Sequence, residues 1–468
     1  MMERRWSFLG SLWNVDNTGQ LTVGIIPPAR ITAGVNGQVL STVGGATAWA
    51  NARNAITVVS NNATDYPDYA TLALAFAALV NGGVILLKRG VAAYDIDGLA
   101  IPANTWIIGD ANPTLLATTG TGWTLPVGNV WIDGCYFDMN ETQVGPATNQ
   151  IFTVQTGTKG EIRDCTFVCD TNLSGGATEG SVFRGSGSTD FIISRCSFIG
   201  TGGNDRKPFD ANSGVFYATI SDCAIGDNTN RLLNGVENGN FEGKMINNTM
   251  YFTLDDNKVI FPIGDNTVFE NNYMVCDGTP AATAYFLQIA ENCRILDNLL
   301  FFDDANSGSL MTILGQNGTA NYNTIRGNRF DTGTSNGTLL WLDLNDHNRI
   351  ANNYFASAVN GPVNLATIND FNSVTGNTSL ETGNGANVHY SGNDTNTITG
   401  NVLQHTGFGA SPVITMVDTC AIDGNVLLGT VSTININSLC VASNNVLSSA
   451  GVVNQTGANN QVNGNQTV

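Results

Sequence analysis

Carboxylates are the side chains of this sequence best suited to do chemistry. Asp277, Asp303 and Asp331 fall 26 and 28 residues apart, with Asp304 beside the second of them and Asp255–Asp256 one step earlier. Two carboxyl groups held on one surface can share the work of glycosidic-bond cleavage, one protonating the leaving oxygen while the other attacks or activates water. Trp341 and Asp343 alternate with Leu340, Leu342 and Leu344, so a strand that buries the leucines turns the indole and the carboxylate outward. An exposed indole offers a platform for a sugar ring, and the neighbouring carboxylate accepts hydroxyl donors. The same pair would also suit a contact between subunits. His347, His389 and His405 stand apart from one another and no CxxC spacing occurs, so neither a metal site nor a cofactor is expected.

Whether those acids meet depends on the elements that carry them, and the sequence repeats. Asn323-Thr-Ile325-Arg-Gly-Asn328 returns as Asn348-Arg-Ile350-Ala-Asn-Asn353, Asn372-Ser-Val374-Thr-Gly-Asn377 and Asn396-Thr-Ile398-Thr-Gly-Asn401. Cysteine replaces the first asparagine at Cys293, Cys420 and Cys440, and the second at Cys135, Cys165, Cys196 and Cys223. Successive second positions from 135 to 465 are 20 to 31 residues apart. A fixed phase with a variable step is the mark of stacked coils whose turns, not strands, accept insertions. Short alternating runs such as LLWLDL precede the motif, as strands should. The pattern predicts an all-β parallel β-helix of about 14 coils.

In such a solenoid equivalent residues lie about 4.8 Å apart on successive coils. Inward asparagines can then form ladders, amide to amide, that tie down the bends. The expected ladder residues are Asn323, Asn328, Asn348, Asn353, Asn372, Asn377, Asn396 and Asn401. Cysteine fits the same slot as a small buried hydrophobe, so the nine cysteines are expected as free thiols. Carboxylates one coil apart would sit about 5 Å from each other and those two coils apart about 10 Å, near the retaining and inverting separations.

Composition agrees with a folded, acidic solenoid. Of 468 residues 12% are charged and 42% hydrophobic, with 53 glycines and a net charge of −19. Nucleic acid and anionic membranes are therefore unsuitable partners. The most apolar stretch is broken by Asn81-Gly82-Gly83, which excludes membrane insertion by a helix there, and the N-terminus reads as mature sequence.

Three parts are expected: residues 1–56, without the motif; residues 57–120, a capping helix and first coils; and residues 121–468, the β-helix. Leu72, Phe76, Leu79 and Val80 mark one helical face, Asp68 lies at the helix start, and Gly82-Gly83 stop it before a strand at Val84–Leu87. A helix there would cover strand edges that otherwise invite aggregation.

The segment DYATLALAFAALVNGGVILLKRGVAAYDIDGLAIPANTWIIGD resembles the helix cap and first coil of pectate-lyase-like right-handed β-helix proteins, and ARITAGVNGQVLSTVGGATAW resembles a module found near the N-termini of bacteriophage tail fibres and tailspikes. The resemblance implies a right-handed, single-stranded parallel β-helix with a short N-terminal attachment region. It implies a homotrimer assembled in the host cytoplasm, attached to phage tail or baseplate proteins through its N-terminus, that binds host surface polysaccharide. Gly134 stands where pectate lyases carry histidine, and the aspartate pairs at 255–256 and 303–304 lack the companions found in polygalacturonases, so neither activity is carried over. Catalysis would rest on Asp277, Asp303, Asp304 and Asp331, and sugar binding on Trp341 and Asp343. A non-enzymatic adhesive virion fibre is the alternative, and a cellular polysaccharide lyase or hydrolase the third reading.

Overall fold

The computed structural model describes residues 6–8, 11–13, 38–43, 46–51, 56–65, 67–117, 121–138, 150–169, 180–200, 206–227, 232, 235–253, 259–277, 284–302, 310–315, 320–332, 339–357, 363–381, 388–405 and 412–468. By backbone contacts the chain forms two units, Met1–Ile56 and Thr57–Val468. The first contains two antiparallel pairings, Trp6–Phe8 with Ser11–Trp13 and Gln38–Val43 with Ala46–Asn51.

The second unit is a parallel β-helix. A coil contributes up to three strands in chain order: one like Leu310–Gly315 (column A), one like Thr324–Arg326 (column B) and one like Arg329–Thr332 (column C). Each pairs in parallel with its counterpart a coil away, as in Arg294↔Thr324, Thr324↔Arg349 and Arg349↔Ser373. Columns A and B form one 29-stranded sheet, and column C forms a 16-stranded one. Column C begins with Tyr94–Asp95 and Thr114–Leu116, two rungs ahead of Cys135 that carry neither asparagine nor cysteine at the corner.

The two motif positions occupy the two bends of the coil. Asn328 stands at the B–C bend with its side chain buried; its backbone N–H and its Nδ2 both donate to Oδ1 of Asn353, at 2.9 and 3.0 Å. Nδ2 also donates back to the Ile295 carbonyl at 2.8 Å. The arrangement recurs at Asn353, Asn377, Asn401, Asn425 and Asn445. At the A–B bend Asn348 and Asn372 have their backbone N–H groups accepted by the next asparagine at 2.7 and 2.8 Å, while their amides donate to carbonyls. Asn323 at that bend hands its N–H to Asn348, and Asn396 donates to the Asn369 carbonyl.

The residue before each B–C bend position is left-handed. It is glycine at Gly327, Gly376 and Gly400 (φ 71, 64 and 64°) and asparagine or aspartate at Asn352 and Asp297 (φ 55 and 54°). Glycine and asparagine adopt this conformation at least cost, which accounts for the Gly-Asn pairs of the motif.

Cysteine substitutes for the amide by the same logic. The Cys223 N–H donates to Asn248 Oδ1 at 3.0 Å, and the thiols of Cys196 and Cys223 each donate to a carbonyl of the preceding coil at 3.6 Å. Burial pushes the Cys165 and Cys196 thiols well above their usual range and the Cys293 thiol to about 12, which keeps them protonated. Cys135, Cys165, Cys196, Cys223, Cys293, Cys420 and Cys440 are buried free thiols and Cys276 is buried too; the Cys169 side chain lies outside the described residues.

Inside, phenylalanines from successive coils stack continuously: Phe137 on Phe167 at 5.2 Å, Phe152 on Phe183 at 5.0 Å, and Phe167 on Phe198 at 5.1 Å. Helix α1 spans Leu72–Ala78, with Thr71 as N-cap accepting the Leu74 N–H. It buries Leu72, Ala75 and Phe76, and Phe76 meets Trp123 of the first column A strand edge-on at 5.8 Å. Two expectations are corrected here. Asp68 accepts the Val58 N–H instead of capping the helix. Val80 lies past the C-cap Leu79, off the helical face, and is 73% exposed. The strand that follows runs Gly83–Lys88. Among the described residues no helix is long and apolar enough to cross a membrane.

Candidate functional site

Of the four aspartates expected to be catalytic, Asp331 is the one whose side chain is among the described residues. Asp331 is on the outer side of column C, paired with Arg329 at 2.7 Å, and that guanidinium lies 5.3 Å over the Tyr354 ring. Its partners on adjacent coils are Phe301 and Ala356, so no carboxylate faces it directly across the sheet. Asp277 is five residues past its bend asparagine whereas Asp331 is three past its own, which puts the two out of register. The backbone of Asp277 pairs with Thr253; its side chain, and Asp255, Asp256, Asp303 and Asp304 entirely, lie outside the described residues.

Trp341 and Asp343 belong to the column A strand Leu339–Leu344. Leu342 and Leu344 are buried, as the alternation requires, while the Trp341 side chain is outside the described set. Asp343 is half-buried, and burial raises its carboxyl above the usual range. Leu314 and Thr367 flank it, so it has no acidic partner at the aligned positions.

A different group of acids does converge, on the outer wall where column A turns into column B. Tyr217 and Glu242 are aligned partners on the long strands Arg206–Ser221 and Val236–Ile246, which run through that bend. Phe216 and Phe241 before them point inward and are fully buried, which sets Tyr217 and Glu242 outward. The next coil pairs Ile263 with Phe241, bringing Gly264 beneath Glu242 and Asp265 diagonally beside it. A Cβ at Gly264 would fall 2.5 Å from Glu242 Cγ, so the bare backbone there makes room for the carboxyl group. Asp265 in turn accepts the Glu291 N–H at 3.0 Å.

The electrostatics of this group are uneven. Burial raises the Glu242 carboxyl above its ordinary range, the negative charge of Asp265 adds to that, and hydrogen bonds from the Tyr217 hydroxyl and the Asp265 backbone oppose it. A carboxyl whose hold on its proton is strengthened beside an exposed second carboxylate is the arrangement that general acid catalysis uses. Sequence reasoning missed these residues because it searched after the motif, whereas Glu242 and Asp265 precede it, and Thr267 holds the A–B bend where asparagine or cysteine marks other coils. The usable signal was the alternation in NFEGKM.

A second polar face lies on column B nearer the N-terminus. Trp131 is partly exposed and aligned with Trp106 and Glu161 on the coils either side. Arg163 donates to Asp133 at 2.7 Å and approaches Glu161 at 3.9 Å, and Ser194 donates to Glu161 at 2.6 Å. These acids share a cation, which suits holding a surface together better than moving protons. No cluster of three or more metal-ligating side chains occurs among the described residues.

No protein-family model matches the chain, and no curated protein does. Among solved structures, the catalytic unit of a GH87 α-1,3-glucanase from Streptomyces thermodiastaticus is 12% identical, with a TM-score of 0.32 over 84% of this chain and 66% of that one. The A-module of mannuronan C-5 epimerase AlgE6 from Azotobacter vinelandii is 11% identical, with a TM-score of 0.31 over 85% and 96%. Tailspike protein gp49 of Acinetobacter baumannii bacteriophage Fri1, a capsular polysaccharide depolymerase, is 11% identical, with a TM-score of 0.26 over 98% and 69%.

Proposed function

We propose that this chain is a bacteriophage tailspike that binds a bacterial surface polysaccharide on the outer wall of its β-helix and cleaves it at Glu242 and Asp265. The observation that carries the catalytic part is the placing of Glu242 over Gly264, against Tyr217 and next to Asp265. Glu242 is the general acid: its raised carboxyl protonates the glycosidic oxygen as the bond to the anomeric carbon breaks. Asp265 attacks that carbon or deprotonates a water that does. Carboxylates on adjacent coils, about 5 Å apart in the stacking direction, favour the retaining course. The Tyr217 hydroxyl orients the Glu242 carboxyl.

The tail-like segment within residues 1–56 supports attachment to the virion, and homotrimer formation belongs to the same reading. The test is incubation with a panel of purified bacterial capsular and O-antigen polysaccharides, followed by assay of new reducing ends. Glu242→Gln should abolish their release and leave binding intact. Binding by the wild type without any new reducing ends would replace this reading with a purely adhesive fibre.

A further inference from the structure

One strip of the second unit departs from the rest of the A–B bend. From Asn266 to Asn459 the residue before each bend position is left-handed: asparagine at Asn266, Asn292 and Asn459 (φ 57, 56 and 61°), threonine at Thr395 and Thr419 (φ 58 and 54°) and leucine at Leu439 (φ 55°). Three consecutive coils carry large rings there, Tyr322, His347 and Phe371, at φ 58, 59 and 57°. A bulky side chain is unfavourable in this conformation, and asparagine would cost less. The rings do not go inward to recover that cost. Tyr322 and Phe371 are each 54% exposed, His347 is exposed as well, and the three stack on one another at 4.9 Å in both steps. The result is an apolar ridge running along the solenoid axis in water.

The position before the ring is Asn321 on the first of these coils and acidic on the other two, and it is acidic again, at Asp394, on the coil that follows. Asp346, Asp370 and Asp394 form a ladder in which Oδ1 of one accepts the N–H of the next, at 2.9 Å in both steps. Asn321 does the same for Asp346 at 3.0 Å, so a neutral amide satisfies the bend equally well and the carboxylate charge is not needed for the fold. A further row, Asn345, Asn369 and Asn393, lies outside the acids with its amides facing one another at 3.2 and 3.4 Å.

We infer that this strip binds an uncharged linear glycan lying along the solenoid axis, with its ring faces on the Tyr322–His347–Phe371 ridge and its hydroxyls donating to Asp346, Asp370 and Asp394. The assignment rests on the polysaccharide reading above and narrows it. Every group on the strip repeats once per coil, so the ligand that meets it best is one that repeats along its own length. Its carboxylates repel an acidic glycan, and the chain's net charge of −19 disfavours a second copy of the same face. Strand addition by a peptide has no purchase here, because the Asp370 and Asp394 N–H groups at this bend are already accepted.

The test uses the full chain on an array of immobilised bacterial surface polysaccharides, uncharged and acidic. The double variant Tyr322→Asn/Phe371→Asn installs the residue that other coils carry, so it should fold and melt no lower than the wild type. It should lose affinity for the uncharged glycans that the wild type binds by roughly tenfold or more. The triple variant Asp346→Asn/Asp370→Asn/Asp394→Asn keeps the bend hydrogen bonds and should newly admit acidic glycans. Wild-type binding confined to acidic glycans, or undiminished binding by the double variant, overturns the assignment while the polysaccharide reading stands. A change of oligomeric state on sedimentation of the double variant also overturns it, in favour of a subunit contact. A wild type that binds nothing on the array removes both.

Discussion

The buried amides show how much one side chain can do in a solenoid bend. Asn401 Oδ1 accepts both the backbone N–H and the amide of Asn377, and Asn401 Nδ2 donates to Val374 and Asn425. Replacing Asn401 with leucine leaves those groups without partners in a fully buried bend, and should lower stability by roughly 2–4 kcal/mol. Asn393 has the same side chain on the exposed row outside the bend, where leucine should cost no more than about 0.5 kcal/mol. Thermal melts of the two variants check the difference. At the carboxyl site the sign follows from the Tyr217 hydrogen bond, which favours the ionised form of Glu242. Tyr217→Phe removes it, raises the Glu242 carboxyl further, and should shift the alkaline limb of kcat/KM to higher pH; a limb that moves down or stays excludes Glu242 as the acid. The bend asparagines were legible in the sequence because one geometry recurs at every coil. The acids were not: which outward carboxylates meet depends on register within long strands and on a bare glycine under one of them.

At the scale of the element, the repeat was readable wherever a bend carried asparagine or cysteine. It faded where the bend used other residues. The rungs Tyr94–Asp95 and Thr114–Leu116 have no such marker, and Thr105, Thr158 and Thr267 occupy the A–B bend in their coils. Helix α1 was visible through Leu72 and Phe76, but its end was misplaced, because the apolar run continues through Val80 after the backbone has left helical geometry. Phe76 is the side chain by which the helix holds the first column A strand, through Trp123. Phe76→Ala should destabilise the solenoid by about 3–5 kcal/mol, the usual result of emptying a buried aromatic site, and should raise the binding of a dye that reports exposed apolar surface. An unchanged denaturation midpoint would mean that α1 does not close the core.

For the whole molecule, the boundary between Met1–Ile56 and Thr57–Val468 separates a segment without the repeat from one in which each coil contacts its neighbours. A chain starting at Ile56 should be folded, with the melting temperature of the full protein, and should fail to join phage particles in a complementation assay. Incorporation of that shortened chain would assign attachment to the solenoid. Within the solenoid, the cohesive material changes partway along. From Phe137 to Phe216 successive coils are joined by aromatic rings over thiol-filled bends, and from Asn248 onward the B–C bends are joined by amides. Burial of apolar rings carries a large heat capacity and loses strength on cooling, whereas the amide bonds do so far less. The apolar core runs through both stretches, so the difference lies in the bends: in the cold the coils whose B–C bends lack amide-to-amide bonds should open first, as amide hydrogen exchange at low temperature can read coil by coil.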